Sequence, residues 1–317
     1  MNNRRGRIGQ TFVYFEKFLR IFFYEKGWKN IIFAGVISLL IAFVIGNNMF
    51  YNKENLTGYS FTMISACIWI GIFNSIQNIC KERAIIKREH RSGLHITSYM
   101  AAHMLFQALL CLVEMIVFVV CCSIAIDFPD TCVGLVTGNF IVDFCITIFL
   151  CIYAADVLAL CVSAIVKDPK TAMTVMPFLL IFQLIFSGSM LNLAGPVEKV
   201  TNATISRWGI TAICAESNYN ELQASTGIVM ERMLKNADSY KELRAQMVAL
   251  EGEKVVKEKE KEMFAEFEEY LKTQTIKERF DAIVDNVIRC WVLLAVFALL
   301  YGFVGILFLK RIDKDKR

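Results

Sequence analysis

The sequence predicts an all-α, polytopic membrane protein with six transmembrane helices, and composition, segment length and charge distribution all support this. Hydrophobic residues make up 56% of its 317 residues, which is more than a soluble protein of this length normally holds. Six apolar stretches approach or exceed the ~20 residues that cross a bilayer as a helix, and hydrocarbon disfavours open sheets. The stretches are 31–50, 60–79, 101–126, 133–166, 171–194 and 286–309.

The distribution of Lys and Arg predicts the orientation of these helices. Residues 1–30, the loops 80–100 and 167–170, and the tail 310–317 together hold 19 of these cations. The short loops on the opposite side hold three. Because cytoplasmic loops carry the excess of Lys and Arg, both termini are predicted to be cytoplasmic. We expect an integral protein of the bacterial plasma membrane, in contact with the lipid bilayer.

Residues 1–30 form a predicted unit ahead of the first span. Their aromatic and aliphatic side chains recur at helical spacing, with Arg and Lys elsewhere on the helix. Such a basic amphipathic helix lies in the headgroup plane of a membrane. It either connects a cytoplasmic partner to the first span or serves as a passive anchor. The apolar face consists of Ile8, Phe12, Phe15, Leu19, Phe22 and Phe23.

Residues 221–285 form a charged insert between the fifth and sixth spans, with 15 acidic and 11 basic residues. The number of spans places it outside the cytoplasm, and long loops are translocated largely regardless of charge. Two apolar stripes at helical spacing, separated by Gly252, predict an extracytoplasmic helical hairpin. A solvated charged spacer is the alternative. Residues 286–317 then supply the sixth span and a basic cytoplasmic tail.

Signatures of catalysis and of metal binding are missing from the sequence. It contains no GxxxxGK[ST] phosphate loop and no dinucleotide fingerprint, so an enzyme with its own nucleotide site is not expected. His90, His95 and His103 are spaced by five and eight residues, whereas metal-binding pairs on a helix prefer three or four. We therefore expect no metal site and no cofactor on this chain, and no nucleic acid partner.

Three acidic residues lie within predicted spans, namely Glu114, Asp143 and Asp156. Ionisable groups at membrane depth are costly and are functional candidates for that reason. The simpler interpretation is that they face the bundle and pair with Asn, Gln or Ser of neighbouring helices. For Asp143, near the outer end of its span, this simpler interpretation is favoured. For Glu114 and Asp156 the two interpretations stay open.

The loop between spans two and three carries an ordered set of residues: Glu82, Glu89, Ser92-Gly93 and Tyr99. This order resembles the first cytoplasmic loop of ABC-2 type permeases, specifically the membrane domain of G-subfamily ABC transporters. In that family an acidic residue ends span two, a second follows seven residues later, and Ser-Gly and a tyrosine precede span three. The segment is helix-prone as far as Gly93, which is a suitable residue to end a helix.

The resemblance extends over roughly 10–220 and 286–310. It includes the small-residue end of span four at 154–164, the tight loop 167–169 and the Phe-Ser-Gly terminus of span five at 186–188. Residues 195–220 resemble the re-entrant outer segment of the family. The 221–285 insert lies outside the resemblance.

The resemblance implies the permease subunit of an ATP-driven exporter that moves its substrate outward by alternating access. Two such subunits, identical or homologous, would pair, and a separate ATP-binding chain would carry ATP and Mg. The helix at 82–93 would dock on that ATPase, so the resemblance assigns coupling to Glu82, Arg83, Glu89 and Gly93.

The family's central cavity lies between spans two and five, so the resemblance places Ile70, Asn74, Ile181 and Leu184 along it. An apolar cavity suits a hydrophobic or amphipathic substrate. Relatives carry two bulky aliphatic residues as a gate after Phe-Ser-Gly, whereas this chain has Ser189 and Met190.

Two other functions remain open. One is a membrane scaffold or sensor that binds a ligand at the 221–285 hairpin and transports nothing. The other is a proton-coupled secondary transporter that uses Glu114 and Asp156. The sequence contains no repeated half-structure of the kind that many such transporters show.

Overall fold

In the computed structural model, the described part of the chain comprises residues 6–128, 132, 134–189, 196–274 and 276–311. This part consists mainly of helices joined by turns and short irregular segments, and no strand occurs within it. The helices are α1 Arg7–Tyr24, α2 Trp28–Ile45, α3 Lys53–Ser75, α4 Asn78–Arg91, α5 Ile96–Ala125, α6 Phe140–Ile165, α7 Pro169–Ile185, α8 Pro196–Thr201, α9 Ile205–Glu216, α10 Ser225–Asn236, α11 Asp238–Glu251, α12 Glu253–Gln274 and α13 Val284–Leu309.

Five segments of the described chain are long and apolar enough to cross a membrane: α2, α3 continued into α4, α5, α6 and α13. This confirms the prediction of an all-α, polytopic membrane protein. The predicted span 171–194 corresponds to α7, an apolar helix of 17 residues that ends at Ile185. The sixth crossing therefore stays a prediction.

Capping residues set the helix ends more sharply than the hydrophobic pattern does. The second span was expected to begin at residue 60, but α3 begins at Lys53 because Asn52 Oδ1 accepts a hydrogen bond from Asn55 N at 2.7 Å. Likewise, Asn139 caps α6, which starts seven residues later than the apolar stretch. Asp168 caps α7, and Pro169 occupies its first turn, where a missing N–H costs nothing.

The centre of the bundle is α6, whose contacts with α3 and α13 are the two most extensive in the described structure. The contact between α3 and α6 is especially close. Gly71 makes it possible, because a Cβ there would collide with the carbonyl oxygen of Ile152 and come within 2.9 Å of Asp156 N. The helix α9 is buried against α3, α6 and α13, at the end of the bundle opposite α4. At the α4 end, α1 lies along α5.

The outward faces of the long helices carry exposed, large apolar side chains. A soluble protein would bury these groups, whereas lipid tails solvate them, so this surface is what a membrane protein requires. Examples on α2, α5 and α13 are Phe33, Phe43, Ile116, Val120, Leu299 and Phe303.

Residues 225–274 form a group of three helices, α10, α11 and α12, which contact one another. The break between α11 and α12 falls at Gly252, whose φ of +88° suits a residue without a Cβ. Several apolar side chains of the predicted stripes remain exposed, including Leu243, Leu250, Met263 and Tyr270. These helices therefore bury only part of their apolar surface against each other.

Candidate functional sites

The helix α4 is fixed to the bundle at both of its ends. At its start, the hydroxyl of Ser163 on α6 accepts hydrogen bonds from Ile79 N and Cys80 N, each at 3.1 Å. In the next turn, Arg83 Nη1 donates to the carbonyl oxygens of Ala164 and Val166 at 2.9 and 3.0 Å. Because these carbonyls belong to the last turn of α6 and its cap, each helix satisfies the free backbone groups of the other.

The C-terminal end of α4 is a left-handed turn at Gly93, whose φ is +111°. Leu94 N donates to Glu89 O at 3.0 Å, which is the six-to-one bond of a Schellman motif. In addition, Gln10 of α1 donates to Gly93 O at 3.3 Å and accepts from His95 N at 3.0 Å. The turn is thus held by the N-terminal helix as well as by its own backbone.

Glu89 connects α4 to α1. Its carboxylate accepts a hydrogen bond from Tyr14 Oη at 2.9 Å and lies 3.6 Å from Lys17 Nζ. Burial, followed by the hydrogen bond and the negative charge of Glu89, raises the pKa of Tyr14 above its usual range. Tyr14 therefore remains a neutral donor at physiological pH.

Glu82 connects α4 to α5 through a polar chain inside the protein. Tyr99 Oη donates to Glu82 Oε2 at 3.0 Å, and His103 Nε2 lies 2.9 Å from the same hydroxyl. Since the single hydroxyl proton points to Glu82, His103 is the donor in the second bond. Phe18 of α1 stacks on the His103 ring at a centroid distance of 3.8 Å. Helices α1, α4 and α5 therefore meet at this cluster.

These contacts show that Glu82, Arg83 and Glu89 bind within the chain. Glu82, Ile86 and Glu89 share the face of α4 that is turned towards α1 and α5, and Ile86 is fully buried. The opposite face is exposed and consists of Lys81, Ala84, Ile85, Arg88 and Arg91. Sequence analysis missed this exposed face, although the spacing of 81, 84, 85 and 88 along a helix could have indicated it.

The membrane-embedded acids Glu114 and Asp156 are brought together by consecutive residues of α3. Asn74 Nδ2 donates to Glu114 Oε2 at 2.7 Å, and Ser75 Oγ donates to Asp156 Oδ1 at 2.5 Å. Gln107 of α5 donates to the Ser75 hydroxyl. Both acids thus pair with Asn and Ser of a neighbouring helix, whereas a functional role for them stays a prediction. The fold places the partners of both acids next to each other on α3.

The hydrogen-bond partners of Asp143 are residues close to it in the sequence. Its carboxylate accepts hydrogen bonds from Val136 N at 2.9 Å, Thr137 N at 3.1 Å and the Thr137 hydroxyl at 2.7 Å. It therefore shapes the turn that leads into α6, at the bundle end opposite α4.

The four residues assigned to a central cavity lie in different surroundings. Ile70 and Asn74 are buried in the bundle, with 4% and 7% exposure. Ile181, on α7, is 51% exposed, and Leu184 is half-buried. Of the two gate residues, Ser189 is half-buried, and Met190 lies outside the described residues. That these side chains line a common cavity stays a prediction.

Glu216 is an acid that sequence analysis did not single out as membrane-embedded. It lies at the end of α9 and is fully buried. The Thr147 hydroxyl donates to Glu216 Oε1 at 2.6 Å, and Trp291 Nε1 donates to Thr147 Oγ1 at 2.7 Å. This chain of polar contacts joins α9, α6 and α13. No sequence signal separated Glu216 from an ordinary loop acid, because α9 is too short to be recognised as a span.

Arg279, just before α13, ties the end of the insert to the turn after α7. Its guanidinium donates to Thr211 Oγ1 at 2.7 Å, to Arg207 O at 2.9 Å, and to the carbonyls of Ser187 and Gly188 at 3.4 and 3.2 Å. Burial, together with nearby Arg207, lowers the pKa of Arg279 to about 10, so the group stays charged at neutral pH. Sequence analysis missed this role, because the partners are distant in sequence.

The chain is thus a polytopic helical membrane protein in which a short amphipathic helix at one end is bonded to three of its neighbours. Comparison with known proteins assigns the class further. A family model described as ABC-2 type transporter matches residues 14–200, more than half of the chain. The chain therefore belongs to the ABC-2 type transporter family, and this confirms the resemblance seen in the sequence.

A curated relative is an ABC transporter ATP-binding/permease protein of Mycobacterium tuberculosis. It is 28% identical to this chain over 160 residues. The match covers 47% of this chain and 17% of the mycobacterial protein. In the described residues, no group of three or more His, Cys, Asp or Glu side chains is arranged to hold a metal ion.

Proposed function

We propose that this chain is the permease subunit of an ATP-driven exporter and that an ATP-binding partner docks on α4. The main support for this proposal is the difference between the two faces of α4. Its inner face bonds to α1, α5 and α6 through Glu89, Glu82 and Arg83, while its outer face stays exposed. A docking helix needs both an exposed face for the partner and firm attachment to the parts that move.

The exposed face of α4 has the chemistry of a docking surface. Ile85 is 41% exposed and is flanked by Lys81, Arg88 and Arg91. An apolar residue within a basic rim fits a groove with an apolar floor and acidic edges. We assign the direct contact with the ATPase to this face. Glu82 and Glu89 then act behind it, by passing movement of α4 to α5 and α1.

Export then follows an alternating-access cycle. Closure of the ATPase, which carries ATP and Mg on a partner chain, displaces α4 and with it the helices bonded to it. A second permease copy or homologue completes the transporter along the apolar side of α7, where Phe178, Ile181 and Ile185 are exposed. In this arrangement α7 is a sixth span and α3 and α7 line the path of a hydrophobic or amphipathic substrate.

The proposal includes the orientation in the membrane. Both termini and α4 lie in the cytoplasm, because 19 of the cations outside the insert are on that side. The helices α10, α11 and α12 then lie on the extracytoplasmic side, and the substrate moves outward across a bacterial plasma membrane.

Purification of the tagged chain from its native cells, in mild detergent, tests the docking surface. The wild type is expected to bring down a protein with a GxxxxGK[ST] phosphate loop in stoichiometric amount. Ile85→Asp should lose this partner, because a carboxylate would be buried in an apolar contact. Leu250→Asp, at an 85% exposed position on α11, is the matched control and should retain it. Equal recovery of the partner with both variants contradicts the proposed docking face.

The helices outside the family match favour a second function, that of a sensor. A cleft of about 660 Å³ between α10, α11 and α12 is lined by four cations and two aromatic rings. Its acid, Glu260, is already bonded to Tyr240 and Arg244 at 2.7 and 2.8 Å. Such a cleft suits an anionic ligand. Recovery of the chain without any nucleotide-binding partner would favour this function over transport.

A further inference from the structure

A groove of about 660 Å³ lies between α9 and the first turns of α13, at the end of the bundle opposite α4. Its volume lies within the usual range for small-molecule sites. The family match ends at residue 200, so it includes neither of these helices. The groove therefore belongs to a part of the chain to which the comparison with known families assigns nothing.

Arg289 supplies the positive charge of this groove, and its side chain is exposed. Its guanidinium lies over the ring of Trp208, 5.7 Å from the ring centroid. Trp208 Nε1 donates a hydrogen bond to Asn202 O at 2.9 Å, which fixes the indole. Within the described residues, no hydrogen bond or ion pair engages the Arg289 side chain. Its N–H donors are thus available to a ligand, and a guanidinium matches the oxygens of a phosphate group well.

Asp285 supplies a negative charge to the same groove, one helical turn closer to the start of α13. Side chains four residues apart on a helix are neighbours, with Cβ atoms ~5–6 Å apart. Asp285 is also exposed, and it forms no ion pair with Arg289. In the part of the chain that the structure describes, its carboxylate accepts no hydrogen bond. The groove therefore presents an acid and a cation side by side, each able to bind a group of opposite charge.

Beyond Arg289, towards the middle of α13, the wall of the groove is apolar. Val292 and Phe297 line it there, and Val292 is 54% exposed. The same face of α13 continues through Leu299 and Phe303, two of the exposed side chains on the outward surface of the bundle. The groove thus opens onto the surface that lipid tails cover. Trp208 suits this depth, because Trp rings gather at the level of the lipid head groups.

We propose that this groove binds one phospholipid with a primary-amine head group, such as phosphatidylethanolamine. From the start of α13 inwards, the groove presents an acid, a cation and an apolar wall. The lipid has the complementary order of ammonium, phosphate and acyl chains. Asp285 accepts hydrogen bonds from the ammonium, Arg289 donates to the phosphate, and an acyl chain lies against Val292 and Phe297. The apolar wall continues into the lipid-facing surface, which favours a lipid of the bilayer over a soluble phosphate ester.

The test is native mass spectrometry of the full chain in detergent, titrated with phosphatidylethanolamine, phosphatidylcholine and phosphatidylglycerol of identical acyl chains. The first two lipids share the phosphate, but the three methyl groups of choline remove the N–H donors. Wild-type protein is expected to bind phosphatidylethanolamine about tenfold more tightly than phosphatidylcholine, the effect of one hydrogen bond between charged groups. Phosphatidylglycerol, which has no ammonium group, should also bind more weakly than phosphatidylethanolamine.

Three variants separate the contributions of the two charges. Asp285→Asn should lower the affinity for phosphatidylethanolamine to that for phosphatidylcholine. Arg289→Gln should weaken the binding of both lipids about tenfold, because both carry the phosphate. Arg311→Gln is the matched control and should change neither affinity, because Arg311 is an exposed arginine just beyond the other end of α13. All three side chains are exposed, so these substitutions leave the packing of the bundle intact.

Several outcomes would overturn the proposal. Equal affinity of the wild type for the ethanolamine and choline lipids, or tighter binding of phosphatidylglycerol, excludes a site for a primary amine. An unchanged preference in Asp285→Asn excludes the role of that carboxylate. An equal loss in Arg289→Gln and Arg311→Gln means that both arginines only touch the surrounding lipids, without a site.

A competition experiment checks that the ligand is a lipid. Glycerophosphoethanolamine carries the same head group without acyl chains, and it should not displace phosphatidylethanolamine at equal concentration. Displacement would mean that the groove takes a soluble phosphate ester, and it would overturn the assignment of a lipid. Binding here requires neither an ATPase nor transport, so failure to recover an ATP-binding partner would remove the proposed function and leave the lipid site standing.

Discussion

The contact between Tyr14 and Glu89 yields a prediction that isolates a single hydroxyl group. Tyr14→Phe removes the donor to Glu89 Oε2, which lies 2.9 Å from Tyr14 Oη. The ring itself remains, so it can keep its edge-on contact with Tyr99 at a centroid distance of 5.7 Å. The variant therefore tests whether this hydrogen bond holds α1 against α4.

The expected size of the effect follows from the exposure of the pair. A hydrogen bond to a charged group contributes ~1.5–3 kcal/mol when it is buried. The Glu89 side chain is 28% exposed, so water replaces part of the lost interaction, and we expect about 1 kcal/mol. The Lys17–Glu89 pair, at 3.6 Å and with Lys17 33% exposed, adds about 0.5 kcal/mol or less.

Hydrogen exchange measured on the full chain in nanodiscs reports this directly, because α1 can open without unfolding the bundle. A loss of about 1 kcal/mol corresponds to a roughly fivefold drop in the protection of the α1 amides. Glu89→Ala, which leaves Tyr14 without an acceptor, and the double variant complete a cycle whose coupling energy should also be about 1 kcal/mol. Tyr24→Phe is the matched control on the same helix, because Tyr24 is 87% exposed.

Three results would contradict this account. Protection of α1 that is unchanged in Tyr14→Phe means that packing alone holds the helix. Strictly additive effects of Tyr14→Phe and Glu89→Ala mean that the two side chains do not interact in solution. An equal loss in Tyr24→Phe would point to a general effect of the lost hydroxyl on α1.

Three further predictions concern the bundle, the end of the insert and the charged helices. Gly71→Ala should lower stability by ~1–3 kcal/mol through overpacking, seen as a lower unfolding temperature, while Gly58→Ala on the same helix, with no atom within 4 Å, should not. Arg279→Lys should raise hydrogen exchange in the turn after α7, because an ammonium group cannot reach four acceptors on different segments. Unchanged exchange there would contradict the role of Arg279 in holding this turn. The pKa of Glu260 is lowered, chiefly by the hydrogen bond from Tyr240, so its stabilising effect is present above the ordinary value of 4.5 and is lost as the pH falls through the folded-state pKa. Protection factors in α11 and α12 should fall on acidification to that point in the wild type. Glu260→Gln should reduce this dependence without removing it, because the pKa of Glu253 on α12 is also lowered, chiefly by its hydrogen bond with Lys257.

The sequence was sufficient to predict where along the chain the residues of the candidate sites lie. Glu82, Glu89 and Gly93 were identified from their order and spacing, and the fold places all three in one helix and its end. The direction in which the α4 side chains point was not predictable. Glu89, for example, accepts a hydrogen bond from Tyr14, which lies 75 positions away in the sequence. A pattern along one helix cannot state which face a distant helix will cover.

The membrane-embedded acids show the same limit. Glu114 and Asp156 were recognised by their cost in hydrocarbon, a property of each residue alone. Their partners, Asn74 and Ser75, lie 40 and 81 positions away, on α3. Glu216 escaped notice because its helix is too short and too mixed in composition to resemble a span.

The sequence by itself determined that this protein lies in a lipid bilayer and that it resembles one transporter family. It also determined the order of the apolar helices and, with a difference of one, their number. These depend on properties that add up along a segment, such as length, hydrophobicity and charge, and on motifs of adjacent residues. Tertiary structure alone decided which side chains meet: Glu89 with Tyr14, Arg279 with the turn after α7, and Arg289 with Trp208. Such contacts depend on how helices pack, and packing is settled by shape at close range, where a single Cβ at Gly71 would already collide.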